Sequence, residues 1–515
     1  MCGIFFIKTI NDYNHDKFKE NGNLCKHRGP DNTKYLSIYY LNNVLQFIFH
    51  RLSINGLNNK SDQPLQNNNN ILMCNGEIYN YKELATRYNI VLKTDSDCEI
   101  ILHLYEIMSI NELCNSLDGV FSFVLYDGLK KQIIIGHDPF GIRSLYYYHE
   151  GDTFSISSEM KCLYNLNRNI KFYPPGSYSI YDIDMNDLQT HKYYNLNFPI
   201  DYDKTDSIKN IKKLLIDSVE KRIDGERPIG CLLSGGLDSS IIASIMSKKI
   251  KNLATFSIGL NGSPDLYHAE NVAKFLNTNH TIVSVNETQM LDAIERTIYQ
   301  IESYDITTIR ASVPMLLLSE YIRDNTDIKI VFSGEGADEA SGSYLYFHNA
   351  PDPESFQDEC IRLIQDVQYF DVLRGDKTTA GAGLEIRVPF FDKTFMEYYM
   401  SIDPSKKMVK DGMEKYLLRT AFENDLPQDV VWRRKDGFSD GVSSFEKPWY
   451  EIIEEYAQKK YGMKESDMYK HIYDKYYSGS YNIPYMWMPK WSNSTDSNLL
   501  NPSDLLNPSN RSIVL

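Results

Sequence analysis

Near residue 200 the apolar residues change their period, and no single repeating layer accommodates both halves of the chain. Before that point short apolar segments alternate with turn residues: CGIFFI from Cys2, LQFIFHRLSI from Leu45, NILMCNGEIYN from Asn70, VFSFVLYD from Val120, KQIIIGHD from Lys131, LYYYH from Leu145 and TFSISSE from Thr153. These predict strands joined by hairpins, with helices over 81–87 and 97–108 and a loop tip at Asn67 to Asn70. The polar, proline-containing stretch 195–207 predicts a domain boundary. Beyond it, helices over 207–223, 238–249 and 265–277 alternate with strands over 230–233, 253–259 and 281–285. Helices over 288–301 and 312–323, a strand over 329–332 and a largely helical remainder complete the pattern. Such alternation predicts a parallel sheet covered by helices. The fold class expected is therefore α+β layered sheets over 1–195 and α/β over 207–491, with a loose Asn-Pro-Ser tail over 492–515.

Charge and hydropathy narrow the partners. Lys plus Arg number 54 against 69 Asp plus Glu, a net charge of −15 that repels phosphate backbones, so nucleic acid is not an expected partner. No run reaches the ~18 apolar residues of a membrane span, and the first residues lack a basic leader, which predicts a cytoplasmic protein without a membrane anchor. The eight cysteines are scattered without a C-x-x-C pair, as expected of reduced thiols.

The segment Ser234-Gly235-Gly236-Leu237-Asp238-Ser239-Ser240 sits between the apolar GCLL and an Ile- and Ala-rich helix. Two glycines let backbone N–H groups approach an anion, and the helix start adds unpaired donors; a polyphosphate fits, and so does a plain capped helix after a turn. The Gly-Lys-Ser/Thr ending of a Walker loop is missing. Two further strand ends carry the candidate sites Ser257-Ile258-Gly259 and Ser333-Gly334-Glu335-Gly336-Ala337-Asp338. Ligands of open parallel sheets bind at the carboxyl ends of strands, so three such loops favour a nucleotide, and Asp238 and Asp338 are candidates for holding Mg²⁺.

These loops, with YDITTIRAS (304–312), YLYFH (344–348), LEIRVPF (384–390) and KDGFSDGV (435–442), resemble the ATP-pyrophosphatases and, more narrowly, the glutamine-hydrolysing asparagine synthetases. The resemblance implies an adenine nucleotide alpha hydrolase-like domain in which Ser234, Gly235, Gly236, Asp238 and Ser239 hold the phosphates of ATP. It implies further that Leu233, Ile258, Ser333 and Gly334 contact the adenosine and that Lys435 contacts phosphate. Glu335 is implied in forming a β-aspartyl-adenylate, and Thr307, Arg310 and Arg387 in the aspartate site. Where the family usually has Phe-Gly-Gly after SGEGADE, this chain has Ser341-Gly342-Ser343.

In the first half, Cys2 exposes both a thiol and an α-amine if the initiator Met is removed, a self-contained nucleophile and base; a small buried hydrophobe opening a strand is the plainer role. Cys2-Gly3-Ile4, HRGPD (27–31), Arg51-Leu52-Ser53-Ile54, NGEIYN (75–80) and Ser96-Asp97 resemble the class II glutamine amidotransferase domain, an αββα N-terminal-nucleophile hydrolase sandwich. By that resemblance Arg51 pairs with the α-carboxylate of glutamine, Glu77 and Asp97 hold its α-amino group, and Leu52, Ser53, Ile54 and Asn55 line the pocket. Asn75 with the Gly76 N–H then forms the oxyanion hole. The two resemblances together imply asparagine made from aspartate, ATP and glutamine, with AMP, pyrophosphate and glutamate released by a homodimer. The alternatives are a relative acting on another carboxylate, which a substrate panel decides, a non-catalytic binding protein, which would bind ATP without AMP release, and a plain glutaminase, which would give glutamate without asparagine.

Overall fold

The structure is a computed structural model that describes residues 1–10, 15–433, 441–443, 447–480 and 483–492. Twelve strands precede the change of period. They are β1 (Gly3–Ile10), β2 (Asn32–Tyr40), β3 (Asn43–Arg51), β4 (Leu65–Asn67), β5 (Asn70–Ile78), β6 (Gly119–Asp127), β7 (Gln132–His137), β8 (Tyr146–Glu150), β9 (Thr153–Ser157), β10 (Lys171–Phe172), β11 (Ser177–Asp182) and β12 (Asp187–Lys192). They form two six-stranded antiparallel sheets, ordered β10-β8-β9-β1-β3-β2 and β12-β11-β7-β6-β5-β4.

The reason for two sheets is written in β1, whose apolar run fills both faces. Ile4 and Phe6 join Phe47, Met73, Val124 and Ile135 in the core between the sheets. Phe5 and Ile7 face the other way, where Phe5 meets Phe18 of the helix His15–Asn23 at 5.4 Å between ring centroids. On the second sheet Leu72, Cys74, Phe123 and Leu125 turn likewise to the core that holds Ile101, Leu104 and Leu113 of the helices Ile100–Ile107 and Ile110–Ser116. A strand buried on both sides reads as a continuous apolar segment rather than an alternating one, and the layer order helix, sheet, sheet, helix results. At the β4–β5 turn, side-chain amides of Asn67, Asn68 and Asn70 donate to one oxygen of Glu106, so the asparagine run is a fitted clamp.

The second half is built on a parallel sheet of β13 (Ile229–Leu232), β14 (Ala254–Leu260), β15 (Asn279–Val285), β16 (Ile330–Phe332) and β17 (Glu385–Arg387), ordered β15-β14-β13-β16-β17. The chain leaves β13 first to one side and later to the other, so a crevice opens between the carboxyl ends of β13 and β16. Among the described residues no helix is long and apolar enough to cross a membrane.

Polar bonds, rather than only apolar packing, seat one half on the other. Arg28 is fully buried; its Nη1 lies 2.6 Å from Glu159, its Nη2 2.8 Å from Asp376, and its Nε donates to the Cys2 carbonyl at 3.0 Å. Asp376 belongs to the helix Asp371–Gly381, and it also accepts from Ser144 Oγ at 2.7 Å. Next to it, Lys377 pairs with Glu159 and Glu302. Buried charges are tolerated only as a paired set, and deleting one leaves its partners desolvated. Arg28→Ala is expected to cost about 3–5 kcal/mol, read as an earlier denaturant midpoint in both far-ultraviolet circular dichroism and tryptophan fluorescence.

Candidate functional site

Two pockets stand out, one in each half. The first surrounds the Cys2 thiol and is lined by Arg51, Leu52, Ile54, Asn55, Gly76 and Glu77, with Ser61, Gln63, Cys74, Ser96, Asp97, Cys98 and Glu385 completing it. Cys2 precedes β1, and its backbone N–H donates to Asn75 Oδ1 at 2.8 Å, which fixes the flip of the Asn75 amide. Asn75 Nδ2 is thereby turned away, buried and without a hydrogen-bond partner. An orphaned donor beside a thiol is available to a negative charge that exists only during a reaction. Burial pushes the Cys2 thiol up to about 11 with Met1 still attached, so the thiol needs a base to react near neutrality.

The acidic end of this pocket is set by β5 and the turn Asp97–Glu99. Asp97 accepts from the Ile78 N–H at 2.6 Å, and Glu77 accepts from Asn55 Nδ2 at 2.6 Å. Burial pushes the Asp97 carboxyl up to about 6 and, together with the field of Asp97, holds Glu77 well above the usual range. Two crowded acids of this kind favour a cationic ligand. Arg51 lies in the same pocket with Nη1 2.6 Å from Asp62 and donating to the Asn58 carbonyl, while Nη2 donates to the Asn55 and Gly56 carbonyls. Ser53 does not line the pocket; its N–H goes to Asp31 and its carbonyl accepts from Arg227 at 2.8 Å.

The second pocket lies in the crevice at the carboxyl ends of the parallel strands. It brings together Leu233, Ser234, Gly236, Asp238, Ser239, Ile258, Ser333, Gly334, Glu335 and Asp338. Gly235 supports the loop from behind at φ +77°, where a Cβ would collide with the Ala269 backbone. Ser234 and Ser239 hydroxyls lie 3.0 Å apart at the start of the helix Leu237–Ser247, whose N-terminal dipole favours an anion. Asp238 and Asp338 converge on one cation, Lys415 Nζ, at 2.5 Å each. That convergence fits Mg²⁺, which is held by one or two carboxylates with phosphate oxygens supplying the rest. Among the described residues no cluster of three protein ligands offers a metal cage of its own. The Ser341-Gly342-Ser343 departure keeps this wall fixed, since Ser343 Oγ donates to Asp338 and Gly342 packs on Phe356 at φ +59°.

Glu335 is the pocket's unusual acid. Burial pushes it up to about 7 against the pull of Arg374, whose Nη2 donates to Oε1 at 3.1 Å. Oε2 is buried with no hydrogen-bond partner and lies over Gly375, where a Cβ would overlap it. Gly375→Ala should therefore leave folding within about 1 kcal/mol, because alanine favours a helix. It should nonetheless lower any reaction that uses the Glu335 carboxylate by at least about tenfold through displacement of that carboxylate, and leave chemistry at the Cys2 pocket unchanged.

The structure places three residues expected at the acceptor-substrate site outside the lining of the second pocket. Arg310 is locked onto Glu465 of the helix Glu465–Tyr477 at 2.8 and 2.5 Å, and it does not line the pocket. Thr307 bonds Asp305, the cap of the helix Ile306–Asn325, which begins six residues before the predicted 312. Arg387 points to the other half, 3.5 Å from Glu77, because side chains alternate along β17 and place Glu385 and Arg387 on the same face. Lys435 lies outside the described residues, as does nearly all of the 492–515 tail. Lys415, Arg374 and Glu385 were missed. Each is a charged residue in a segment without apolar period, and only the fold reveals that it is buried.

Comparison with known proteins finds a family for each half of the chain. The profile of the family described as glutamine amidotransferase domain matches residues 1–194, and that of asparagine synthase matches 210–358 and 350–492. The glutamine-hydrolysing asparagine synthetase of Gallus gallus is 38% identical over 522 residues, covering 91% of this chain and 93% of the relative. Those of Mus musculus and Homo sapiens are 39% and 38% identical with the same coverage of both chains.

Proposed function

This chain belongs to the glutamine-hydrolysing asparagine synthetases, and on that premise we propose how its two pockets divide one reaction. It is a ligase that makes L-asparagine from L-aspartate with ATP and the amide nitrogen of glutamine. In the first pocket, with Met1 removed, the α-amine of Cys2 takes the thiol proton and the sulfur adds to the carboxamide carbon of glutamine. The oxyanion settles against Asn75 Nδ2 and the Gly76 N–H. The C–N bond breaks as ammonia takes up that proton, and water then cleaves the thioester to release glutamate. Glu77 and Asp97 face the α-ammonium of glutamine, and Arg51 faces its α-carboxylate.

In the second pocket an oxygen of the aspartate β-carboxylate attacks the α-phosphorus of ATP and the bond to the β-phosphate oxygen breaks, releasing pyrophosphate. Ammonia adds to the acyl carbon, AMP departs and a proton is lost. Ser234, Gly236 and Ser239 cradle the phosphates, Ile258 and Leu233 flank the base, and Glu335 with Arg374 positions the acyl end. Asp238 and Asp338 would hold Mg²⁺, which supplies positive charge against the departing pyrophosphate. We propose also, from the change of period, the polar stretch 195–207 and the net charge, domains spanning 1–195 and 207–491, a cytoplasmic location and no nucleic-acid partner, and, from the family resemblance alone, a homodimer.

One observation carries the proposal: a thiol pocket with an orphaned amide donor and a phosphate-loop pocket with an orphaned acid are held by one buried helix, Asp371–Gly381. The test is a mass-spectrometric assay with aspartate, ATP, Mg²⁺ and amide-¹⁵N glutamine. Labelled asparagine should form in step with AMP. Glutamate without asparagine would defeat the reading.

A further inference from the structure

Arg387, a residue expected at the acceptor-substrate site, reaches a lining residue of each pocket. β17 is the last strand of the parallel sheet, paired with β16 over Ile330↔Glu385 to Phe332↔Arg387. Where β16 ends, the N–H of Ser333 donates to the carbonyl of Arg387 at 3.0 Å, and Ser333 lines the phosphate-loop pocket. The side chain of the same Arg387 runs the other way. Its Nε bonds Glu385 at 2.9 Å, its Nη1 bonds the Arg222 and Asp224 carbonyls, and its Nη2 lies 3.5 Å from Glu77. Glu385 itself lines the thiol pocket, so that pocket is finished by a strand from the other half of the chain.

We propose that Arg387 is a positioning residue that couples the pockets: movement of Ser333 on nucleotide binding shifts Arg387, and the guanidinium then retunes the acidic end that receives the α-ammonium of glutamine. The proposal rests on the division of the reaction between the two pockets. Coulomb energy makes the link strong, because the groups are buried and close. Glu77 faces Asp97 from the turn after β5, Glu385 and Arg387 from β17, and Arg143 from the loop after β7; the Tyr79 hydroxyl faces Arg387. Arg387 and Arg143 hold Glu385 below the usual carboxylate range although burial opposes them, and Arg387 is among the charges that favour ionised Glu77. No large domain motion is needed; a sub-ångström shift in an unshielded pair changes affinity. The same reciprocity requires glutamine to tighten nucleotide binding by an equal factor.

The test uses the full chain and measures the glutaminase KM for glutamine with and without saturating ATP and aspartate. In the unaltered protein the KM should fall by about fivefold or more on nucleotide addition. In Arg387→Gln that ratio should collapse to about one, and KM should rise most steeply toward acid pH, since loss of the cation raises the pH at which Glu77 and Asp97 ionise. The backbone bond to Ser333 survives the substitution, so ammonium-dependent synthesis should stay within about twofold, a readout that a merely structural role would not spare. Arg387→Lys keeps the charge but loses the fork across Glu385 and the two carbonyls, and should retain less than half of the ratio. If Arg387→Gln does not fold, the lysine variant decides. A ratio of one in the unaltered protein, or an unchanged ratio in the folded variants, overturns the coupling while leaving labelled-asparagine formation, and with it the proposed function, intact.

Discussion

Replacing Cys2 by alanine is expected to remove glutamine-dependent asparagine synthesis by at least about 10³-fold while synthesis from added ammonium continues at a near-normal rate. The asymmetry is a matter of geometry. The thiol is the only group removed, and the backbone N–H that holds Asn75 and the carbonyl that accepts from Arg28 remain in the variant. Domain seating through Arg28, Glu159 and Asp376 is therefore kept. Paired assays of asparagine from labelled glutamine and from labelled ammonium check the outcome. Loss of both would mean that the thiol end and the nucleotide end are one site, against the separation of the two pockets.

The converse variant is Glu335→Gln, which should lower synthesis from either nitrogen source by about 10²-fold or more and leave glutamine hydrolysis running. Its carboxyl lies among buried groups with one oxygen on Arg374 and the other unbonded, so an amide fits the space but lacks the charge. Burial sets the sign of the pH effect. The folded-state value near 7 lies above the usual range, so the carboxylate that Arg374 faces is lost as pH falls through 7. Ammonium-dependent kcat should fall from pH 8 to pH 6 in the unaltered protein and lose that limb in the variant. A pH profile identical in both would remove Glu335 from the reaction.

Much of this was legible in the sequence where burial and period coincide. The helix predicted over 81–87 is Tyr81–Arg87, and the strands predicted over 230–233 and 329–332 are β13 and β16 within a residue at each end. The three loops predicted to converge do so, because Gly-rich turns after buried strands can lie only at the sheet's carboxyl edge. β17 was invisible as a strand: Glu-Ile-Arg has one apolar residue, and its two charges are buried only because each finds a partner from far along the chain. For the same reason Arg310 and Arg387 could be placed in a motif but not pointed. An arginine's direction is decided by the carboxylates nearest in space, Glu465 for one and Glu385 for the other.

The helix Asp371–Gly381 imposes a constraint on inheritance. Arg374 serves the acid of one pocket, while Asp376 and Lys377 serve the arginine and carboxylates behind the other. Each residue added to a helix rotates its downstream side chains by about 100°, so a single insertion between Arg374 and Asp376 would uncouple these partners at once. Neither half can be exchanged with a distant relative's unless this helix and the residues it grips, Arg28, Glu159 and Glu335, travel as one block.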